Sequence, residues 1–337
     1  MSETILSLHD LRVQFKLAGK WLGARPLLRA VDGINLEVQA GEIVGIVGES
    51  GCGKSTLARA VLQLVRPSSG TVVWMGQSIG DLSAGGMRPL RRDMQIVFQD
   101  PLASLNPRMT IGDCIAEPLR VHAPQLGLRE REAAVADMLG RVGLSRDMIN
   151  RYPHEFSGGQ CQRVGIARAM ILKPKLLICD EPVSALDVSI QAQIINLLKD
   201  LQRDFGMTIL FVSHNLAVVR RLCNRVLVLY LGRAMELADT ESLFTNALHP
   251  YTRGLLAAVP IPDPDLQPAR LAATLGGELP SPTSPPSGCV FRTRCAGADE
   301  LCTSAVPDFI EIASGLSQRG SIGLRQIACH HWEKIPR

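Results

Sequence analysis

The sequence predicts an α/β domain with a largely parallel sheet, followed by a small C-terminal domain. From Leu6 to Pro260, short apolar runs alternate with longer amphipathic stretches, which is typical of α/β folds. A glycine-rich turn separates an early apolar run from the helical pattern that follows it. Eight prolines then lie between Pro260 and Gly288, a composition that predicts an extended connection. We therefore place a boundary near residue 260, with domains at 1–260 and 261–337.

Apolar spacing predicts individual elements of the first domain. Continuous apolar runs predict buried strands at 43–47, 175–179, 208–212 and 226–230. Apolar residues at helical spacing predict a helix through Leu57, Val61 and Leu64, one through Val135–Val142 that ends at Gly143, and one through Ile190–Leu201.

Composition excludes several classes of protein. The net charge is +4, from 36 basic and 32 acidic residues, which argues against a nucleic-acid partner. Apolar runs stay well below the roughly 18 residues that span a bilayer. The first residues, MSETILSLHDLRV, lack the apolar core of a secretory signal. We expect a cytosolic chain, whose nine cysteines do not form a disulfide framework.

Residues 48–55 read GESGCGKS and fit the phosphate-loop pattern G-x-x-x-x-G-K-[ST] between a predicted strand and helix. Glycines let successive backbone N–H groups point at phosphate oxygens, and the helix dipole adds to the attraction. Lys54 brings positive charge to the β- and γ-phosphates, and Ser55 can bind Mg²⁺. The alternative is a plain glycine turn with an exposed lysine. The predicted phosphate-binding residues are Gly48, Ser50, Gly51, Cys52, Gly53, Lys54, Ser55 and Thr56.

A second motif, LLICDE at 176–181, ends a predicted strand in two acids. Such acids are costly at the end of a buried strand unless they face a ligand or a cation. We expect Asp180 to hold Mg²⁺ through water and Glu181 to polarise the attacking water. The alternative is a strand end that reaches solvent.

The segment 152–170, YPHEFSGGQCQRVGIARAM, resembles the signature of the ATP-binding subunits of ABC transporters. Its first position is Phe156 instead of the usual leucine, and Cys161 replaces an arginine common after the signature. Both departures leave a helix start that can bind an anion. The signature residues are Ser157, Gly158, Gly159 and Gln160.

Further motifs follow the order of that family. The resemblance implies that Gln99 contacts Mg²⁺ and the water, and that His214 senses the γ-phosphate. It also implies a P-loop NTPase cassette with an antiparallel β part and a helical subdomain at about 100–172. Phe15 is our candidate for stacking on adenine, against the alternative of a core phenylalanine. The residues that resemble the D-loop are Ser184, Ala185, Leu186 and Asp187.

Three longer segments resemble the oligopeptide and dipeptide branch of bacterial importers: 99–112, 249–256 and 277–295. This resemblance implies an ATPase at the cytoplasmic face of the inner membrane that sandwiches ATP with a homologous second ATPase subunit. It also implies two transmembrane permease subunits and an extracytoplasmic peptide-binding protein. Dipeptide, nickel and cell-wall-peptide importers remain alternatives. A soluble ABC ATPase that is not coupled to transport is a remote one, because the chain has one cassette and no long insertion.

Four cysteines close the chain with the spacing C-x5-C-x6-C-x26-C. This spacing is neither the paired pattern of a zinc ribbon nor that of a bacterial ferredoxin, so incidental buried thiols stay open. A tail this short needs a staple or a neighbour to be ordered. The importer branch carries a similar tail motif, which implies a [4Fe–4S] cluster, with Zn²⁺ as the alternative. His330 and His331 keep a mixed site open. The predicted ligands are Cys289, Cys295, Cys302 and Cys329.

Overall fold

The computed structural model describes residues 3–17, 26–259, 275–316 and 322–334. The chain divides into two compact units. The first unit comprises Gln39–Ile43 and Asp81–Ser213, and the second comprises Thr4–Val38, Val44–Gly80 and His214 onward. Residues 260–274, which form the first part of the predicted proline-rich connection, lie outside the described residues. The domain boundary at 260 therefore stays a prediction.

The described residues form the strands β1 to β12. They are β1 (Thr4–Lys16), β2 (Leu27–Gln39), β3 (Ile43–Val47), β4 (Ser69–Trp74), β5 (Gln77–Ser78), β6 (Met94–Val97), β7 (Leu176–Asp180), β8 (Thr208–Val212), β9 (Arg225–Tyr230), β10 (Arg233–Asp239), β11 (Ile310–Leu316) and β12 (Ile322–Ile327).

The described residues also form the helices α1 to α11. They are α1 (Lys54–Val61), α2 (Ala84–Leu90), α3 (Pro101–Ser104), α4 (Ile111–His122), α5 (Leu128–Arg141), α6 (Gly158–Met170), α7 (Val188–Phe205), α8 (Leu216–Leu222), α9 (Thr240–Thr245), α10 (Pro250–Ala257) and α11 (Glu300–Ser304). Short 3₁₀ helices lie at Arg146–Asn150, Pro153–Glu155, Arg292–Arg294 and Trp332–Lys334.

The first unit contains three parallel strands in the order β8-β7-β6. Every residue of β7 and β8 is buried, as expected for parallel strands covered on both faces. The helices α3 to α6 follow β6 within the predicted helical subdomain. The apolar stripe of α5 ends at Gly143, whose φ of 74° is the left-handed conformation that closes helices.

The second unit contains an antiparallel sheet in the order β2-β1-β4-β5. It also contains β3, which pairs in parallel with β9, and β10, which pairs antiparallel with β9. The predicted α/β class with parallel and antiparallel parts is confirmed. The prediction for α1 was too long, because the helix ends at Val61 and Leu64 is 48% exposed.

The C-terminal tail contains two strands that the sequence analysis did not predict. β12 pairs antiparallel with both β10 and β11, and so extends the sheet of the second unit. Arg325 on β12 forms a buried ion pair with Glu236 on β10. The Glu236 carboxylate also accepts the backbone N–H groups of Leu248 and His249. A buried charge is tolerated when it is paired and hydrogen-bonded in this way.

Candidate functional site

The phosphate loop follows β3 and leads into α1 as predicted. Gly48 has φ 150° and Gly53 has φ 102°. A Cβ at Gly48 would lie 2.2 Å from the Leu229 carbonyl oxygen, and one at Gly53 would lie 1.9 Å from the Ala30 carbonyl oxygen. Both obstacles are backbone atoms, so only glycine fits at these two positions.

Lys54 opens α1 and is 4% exposed. Its Nζ donates to the carbonyl oxygens of Gly48 and Glu49, each at 2.9 Å. The backbone of the phosphate loop therefore holds the Lys54 ammonium group, which the motif predicts to bind the phosphates. Cys52 lies beside it, and burial raises the pKa of that thiol, which keeps it neutral.

In the first unit the two acids of LLICDE sit at the end of β7. Asp180 is 1% exposed. Glu181 has φ 48°, a left-handed conformation that strains a non-glycine residue, and its N–H donates to the Val212 carbonyl at 3.0 Å. The Gln99 amide donates to Glu181 Oε2 at 3.3 Å. The structure thus brings together two residues that are 82 positions apart in the sequence.

The signature segment starts α6. Ser157 Oγ accepts the Gln160 N–H at 3.3 Å, and Gln160 Oε1 accepts the Ser157 N–H at 2.9 Å, a capping box. Gly159 packs against α7, because a Cβ there would lie 2.6 Å from Ile190 Cγ2. Cys161 is fully buried, with its Sγ 3.5 Å from the Pro153 carbonyl oxygen. Cys161, which replaces the arginine common after the signature, is thus a buried packing residue of α6.

The predicted D-loop links β7 to α7. Ser184 Oγ donates to the Glu181 carbonyl at 3.1 Å. Asp187 caps α7 by accepting the Ile190 N–H at 2.9 Å, and this hydrogen bond lowers the pKa of Asp187. Ser189 Oγ also donates to Asp187, at 2.7 Å. Ala185 and Leu186 lie between these two anchors.

Two further predicted residues of the second unit are His214 and Phe15. His214 lies two residues after the last residue of β8 and is exposed. Its neighbour Asn215 caps α8 by accepting the N–H groups of Ala217 and Val218. Phe15 lies near the end of β1 and is 37% exposed, which argues against the alternative of a core phenylalanine. Its predicted adenine contact stays a prediction.

The four tail cysteines come from separate local structures of the second unit. Cys289 and Cys295 flank a 3₁₀ helix, Cys302 is on α11, and Cys329 follows β12. The Cys289 N–H donates to the Cys302 carbonyl at 2.8 Å. The pKa of Cys329 is raised to about 11, mainly by burial and in part by the nearby thiols of Cys289, Cys295 and Cys302. The structure therefore brings all four thiols into one neighbourhood.

The cysteine neighbourhood also contains His330 and His331, which the sequence had suggested for a mixed site, and one acid that was not anticipated, Asp299. Asp299, Cys302 and His331 place one potential ligand atom each within 4.8 Å of one another. His331 Nε2 lies 2.9 Å from an Asp299 oxygen, and this contact lowers the pKa of Asp299 to about 2. His330 Nε2 lies 3.1 Å from the Ala305 carbonyl oxygen. Asp299 carries no signal in the sequence, because its partner is 32 residues away and in no shared motif.

Comparison with known proteins decides the family. Residues 31–184 match the ABC transporter family, and residues 235–302 match the oligopeptide/dipeptide transporter C-terminal region. The oligopeptide transport ATP-binding protein OppF of Escherichia coli (strain K12) is 56% identical over 308 residues, which are 90% of this chain and 92% of that protein. The chain belongs to the ABC transporter family of ATP-binding proteins. The OppF protein of Salmonella typhimurium (strain LT2) is 55% identical over the same shares.

Solved ABC cassettes share the fold of this ABC protein. A dimeric cassette bound to ADP and phosphate in a post-hydrolysis state has a TM-score of 0.64 at 29% identity, covering 70% of this chain and 99% of its own. The cbiO1 protein of Clostridium perfringens, part of an ABC transporter complex, has a TM-score of 0.63 at 30% identity, covering 72% and 92%. The family prediction and the ATPase prediction are thereby confirmed. Within the described part of this ABC protein, we find no helix that is long and apolar enough to cross a bilayer.

Proposed function

We propose that the chain is the ATP-hydrolysing subunit that powers import of oligopeptides through an ABC transporter. The match of residues 235–302 to the oligopeptide/dipeptide transporter C-terminal region carries this proposal, because that region is separate from the general cassette. Three relatives at 54–56% identity, all named oligopeptide transport ATP-binding proteins, support it.

At the nucleotide, we propose that the phosphate loop binds ATP through its backbone N–H groups and Lys54. Ser55, Asp180 and Gln99 hold Mg²⁺ directly or through water, and Glu181 polarises the attacking water. The hydrogen bond between Gln99 and Glu181 supports their joint action on one water molecule. The strained backbone of Glu181 also supports this role, because such strain is concentrated at functional sites.

The remaining roles require a second ATPase subunit. We propose that Ser157, Gly158, Gly159 and Gln160 act on ATP bound by a homologous partner, and that His214 contacts the γ-phosphate. The dimeric state of the cassette solved with ADP and phosphate supports a paired arrangement. Closure of the pair drives two transmembrane permease subunits, because ATP binds the closed state more tightly. The chain then works at the cytoplasmic face of the inner membrane, and an extracytoplasmic binding protein delivers the peptide.

The catalytic assignment is tested in the assembled transporter. Glu181→Gln should reduce ATP hydrolysis by a factor of about a thousand or more while retaining ATP binding. Asp200→Asn, an exposed acid on α7, is the matched control and should hydrolyse ATP at the wild-type rate. Wild-type turnover by Glu181→Gln would overturn the assignment.

The substrate is tested by uptake. Cells that lack this chain should fail to accumulate a labelled oligopeptide, and the wild-type chain should restore uptake where Lys54→Ala does not. If labelled oligopeptide enters normally and only dipeptide or Ni²⁺ uptake is lost, the oligopeptide proposal is wrong and the corresponding alternative replaces it.

We also propose that the tail, in a domain at 261–337, binds a [4Fe–4S] cluster through Cys289, Cys295, Cys302 and Cys329. Four thiols in one neighbourhood are the donor set that such clusters use. A tetrahedral zinc site, with Zn–S bonds of about 2.3 Å, needs its sulfurs about 4 Å apart. Among the described residues, the group within 4.8 Å contains only one of the four cysteines, together with Asp299 and His331. A [4Fe–4S] cluster does not require such a close approach of its four sulfur ligands, and it would supply one-electron redox chemistry when bound.

Anaerobic purification, metal analysis and an absorption spectrum test this proposal. We expect about four irons per chain and a broad visible band, both lost in Cys295→Ser. Cys114→Ser, which changes a buried cysteine on α4, is the control and should retain both. One zinc per chain, or a metal-free active protein, would overturn the cluster proposal and leave the ATPase assignment untouched.

A further inference from the structure

Arg294 connects residues 289–302, which we call the cysteine segment, to the phosphate loop. It lies on the 3₁₀ helix between Cys289 and Cys295. Its Nη1 and Nη2 donate to the two carboxylate oxygens of Glu49 at 2.6 and 2.9 Å, a bidentate ion pair. The Arg294 side chain is 5% exposed and that of Glu49 is 27% exposed. Glu49 is the second residue of the GESGCGKS motif, so the pair spans 245 positions of the sequence.

The Arg294 side chain is fixed from several directions. Its Nε donates to the Gly276 carbonyl at 3.0 Å, and its guanidinium lies 5.8 Å from the centre of the Tyr230 ring. The hydrogen bonds to Glu49 raise the pKa of Arg294 above its ordinary value. Arg294 is therefore a permanent, preorganised positive charge at this position.

Glu49 in turn holds the phosphate loop. Its N–H donates to Tyr251 Oη at 2.9 Å, and its carbonyl accepts Lys54 Nζ at 2.9 Å. Tyr251 packs against Phe291 of the cysteine segment, with ring centroids 5.4 Å apart. Glu49 thus contacts the cysteine segment through its side chain, and it contacts Lys54 through its backbone carbonyl.

Glu49 also presents a problem of charge. It is the one acid in residues 48–56, a loop built to bind the phosphates of ATP. An unpaired carboxylate there would repel phosphate oxygens, and the repulsion is strong where water is partly excluded. The pairing with Arg294 neutralises this charge and fixes the orientation of the Glu49 carboxylate.

We propose that Arg294 is a positioning residue for ATP binding, and that the cysteine segment acts through it on the phosphate loop. Arg294 neutralises Glu49 and holds the loop in the conformation that presents Lys54. The inference rests on the proposed role of Lys54 in phosphate binding, but not on the metal of the cysteine site.

The experiment measures MgATP binding by the full-length chain with Arg294→Gln, Glu49→Gln and the double variant. Arg294→Gln should raise the dissociation constant about tenfold, because it leaves the Glu49 charge unpaired. The double variant should return to within about threefold of wild type, because it removes both charges. Arg292→Gln is the matched control on the same 3₁₀ helix. The Arg292 side chain donates to the carbonyl oxygen and the hydroxyl of Ser287, and its variant should bind MgATP normally.

Two outcomes would overturn the proposal. If Arg294→Gln lowers the melting temperature but binds MgATP with the wild-type constant, Arg294 is a structural residue only. If the double variant binds as weakly as Arg294→Gln, Arg294 does not act through Glu49. Lys54→Ala in the same assay separates this inference from the proposed function: normal MgATP binding by that variant would refute the phosphate site itself.

Discussion

The starts of α1 and α6 look alike in sequence but are built in opposite ways. Both are glycine-rich helix N-termini, which favour anions. Gly53 precedes α1 in a left-handed conformation and has no side chain to cap it. Ser157 precedes α6 in an extended conformation and forms a capping box with Gln160.

The glycines at the two helix starts are required for different reasons. At Gly53 the obstacle to a side chain is the Ala30 backbone, whereas at Gly159 it is the Ile190 side chain. A backbone obstacle is fixed by the sheet, and a side-chain obstacle can be removed. The phosphate loop is therefore a rigid site, whereas the signature starts an ordinary capped helix whose fit depends on side-chain packing.

The largest expected effect is at Gly53. Gly53→Ala should lower the free energy of unfolding by at least about 4 kcal/mol and abolish MgATP binding, because the Cβ meets a carbonyl oxygen at 1.9 Å. Gly51→Ala is the control. Gly51 also has a positive φ, 78°, but no atom lies within 4 Å of its Cβ position, so only about 1–2 kcal/mol of backbone strain is expected. Equal losses in the two variants, measured by denaturant unfolding, would contradict the backbone argument.

A second difference is that the phosphate loop is linked to a buried imidazole, because Tyr251 bonds Glu49 through its hydroxyl and His249 through its backbone N–H. His249 Nδ1 accepts the Tyr251 N–H at 3.0 Å, and burial lowers the pKa of His249 to about 4, despite the opposing charge of Glu236. The unfolded chain takes up this proton near pH 6.5 and the folded chain only near pH 4. Stability should therefore be complete above pH 6.5 and fall by about 3 kcal/mol between pH 6.5 and 4.

Unfolding of His249→Gln between pH 4 and 7 checks this dependence. The variant should lose that part of the acid sensitivity which His249 contributes, whatever its stability at pH 7. Buried Arg325 and Glu236 remain in both proteins, so they provide the same background. An unchanged slope would show that His249 is not the titrating group.

Sequence was sufficient where a function resides in consecutive residues. The phosphate loop, β7 and the start of α6 were predicted because glycine spacing and apolar runs determine local conformation. The contacts of Glu49 with Arg294 and of Asp299 with His331 could not be predicted, because each joins segments that only the folded sheet brings together. The tail strand β12 was missed for the same reason, because its pairing partner β10 is remote in sequence. β11 joins the sheet only through β12.

A smaller effect is expected at Gly159. Gly159→Ala gains helix propensity but overpacks against Ile190, so we expect a net loss of about 1 kcal/mol. Ile190→Ala removes the obstructing Cγ2, and the double variant should be more stable than the sum of the single changes predicts. Gly165→Ala on the same helix meets no atom within 4 Å and should stabilise. Strict additivity of Gly159→Ala and Ile190→Ala in thermal unfolding would refute the packing argument.

The smallest expected effect is at Ser157, and it separates the capping of α6 by this residue from its proposed action on ATP bound by the partner subunit. Ser157→Ala should cost about 1 kcal/mol of stability, because the Gln160 N–H loses its acceptor. Ser83→Ala is the matched control, since Ser83 caps α2 by accepting the Gly86 N–H at 3.2 Å. Both variants should lose similar stability, but only Ser157→Ala should slow ATP hydrolysis in the assembled transporter. Equal rates would mean that the Ser157 hydroxyl serves the helix alone, and the signature would then contact the partner's nucleotide through its glycine backbone.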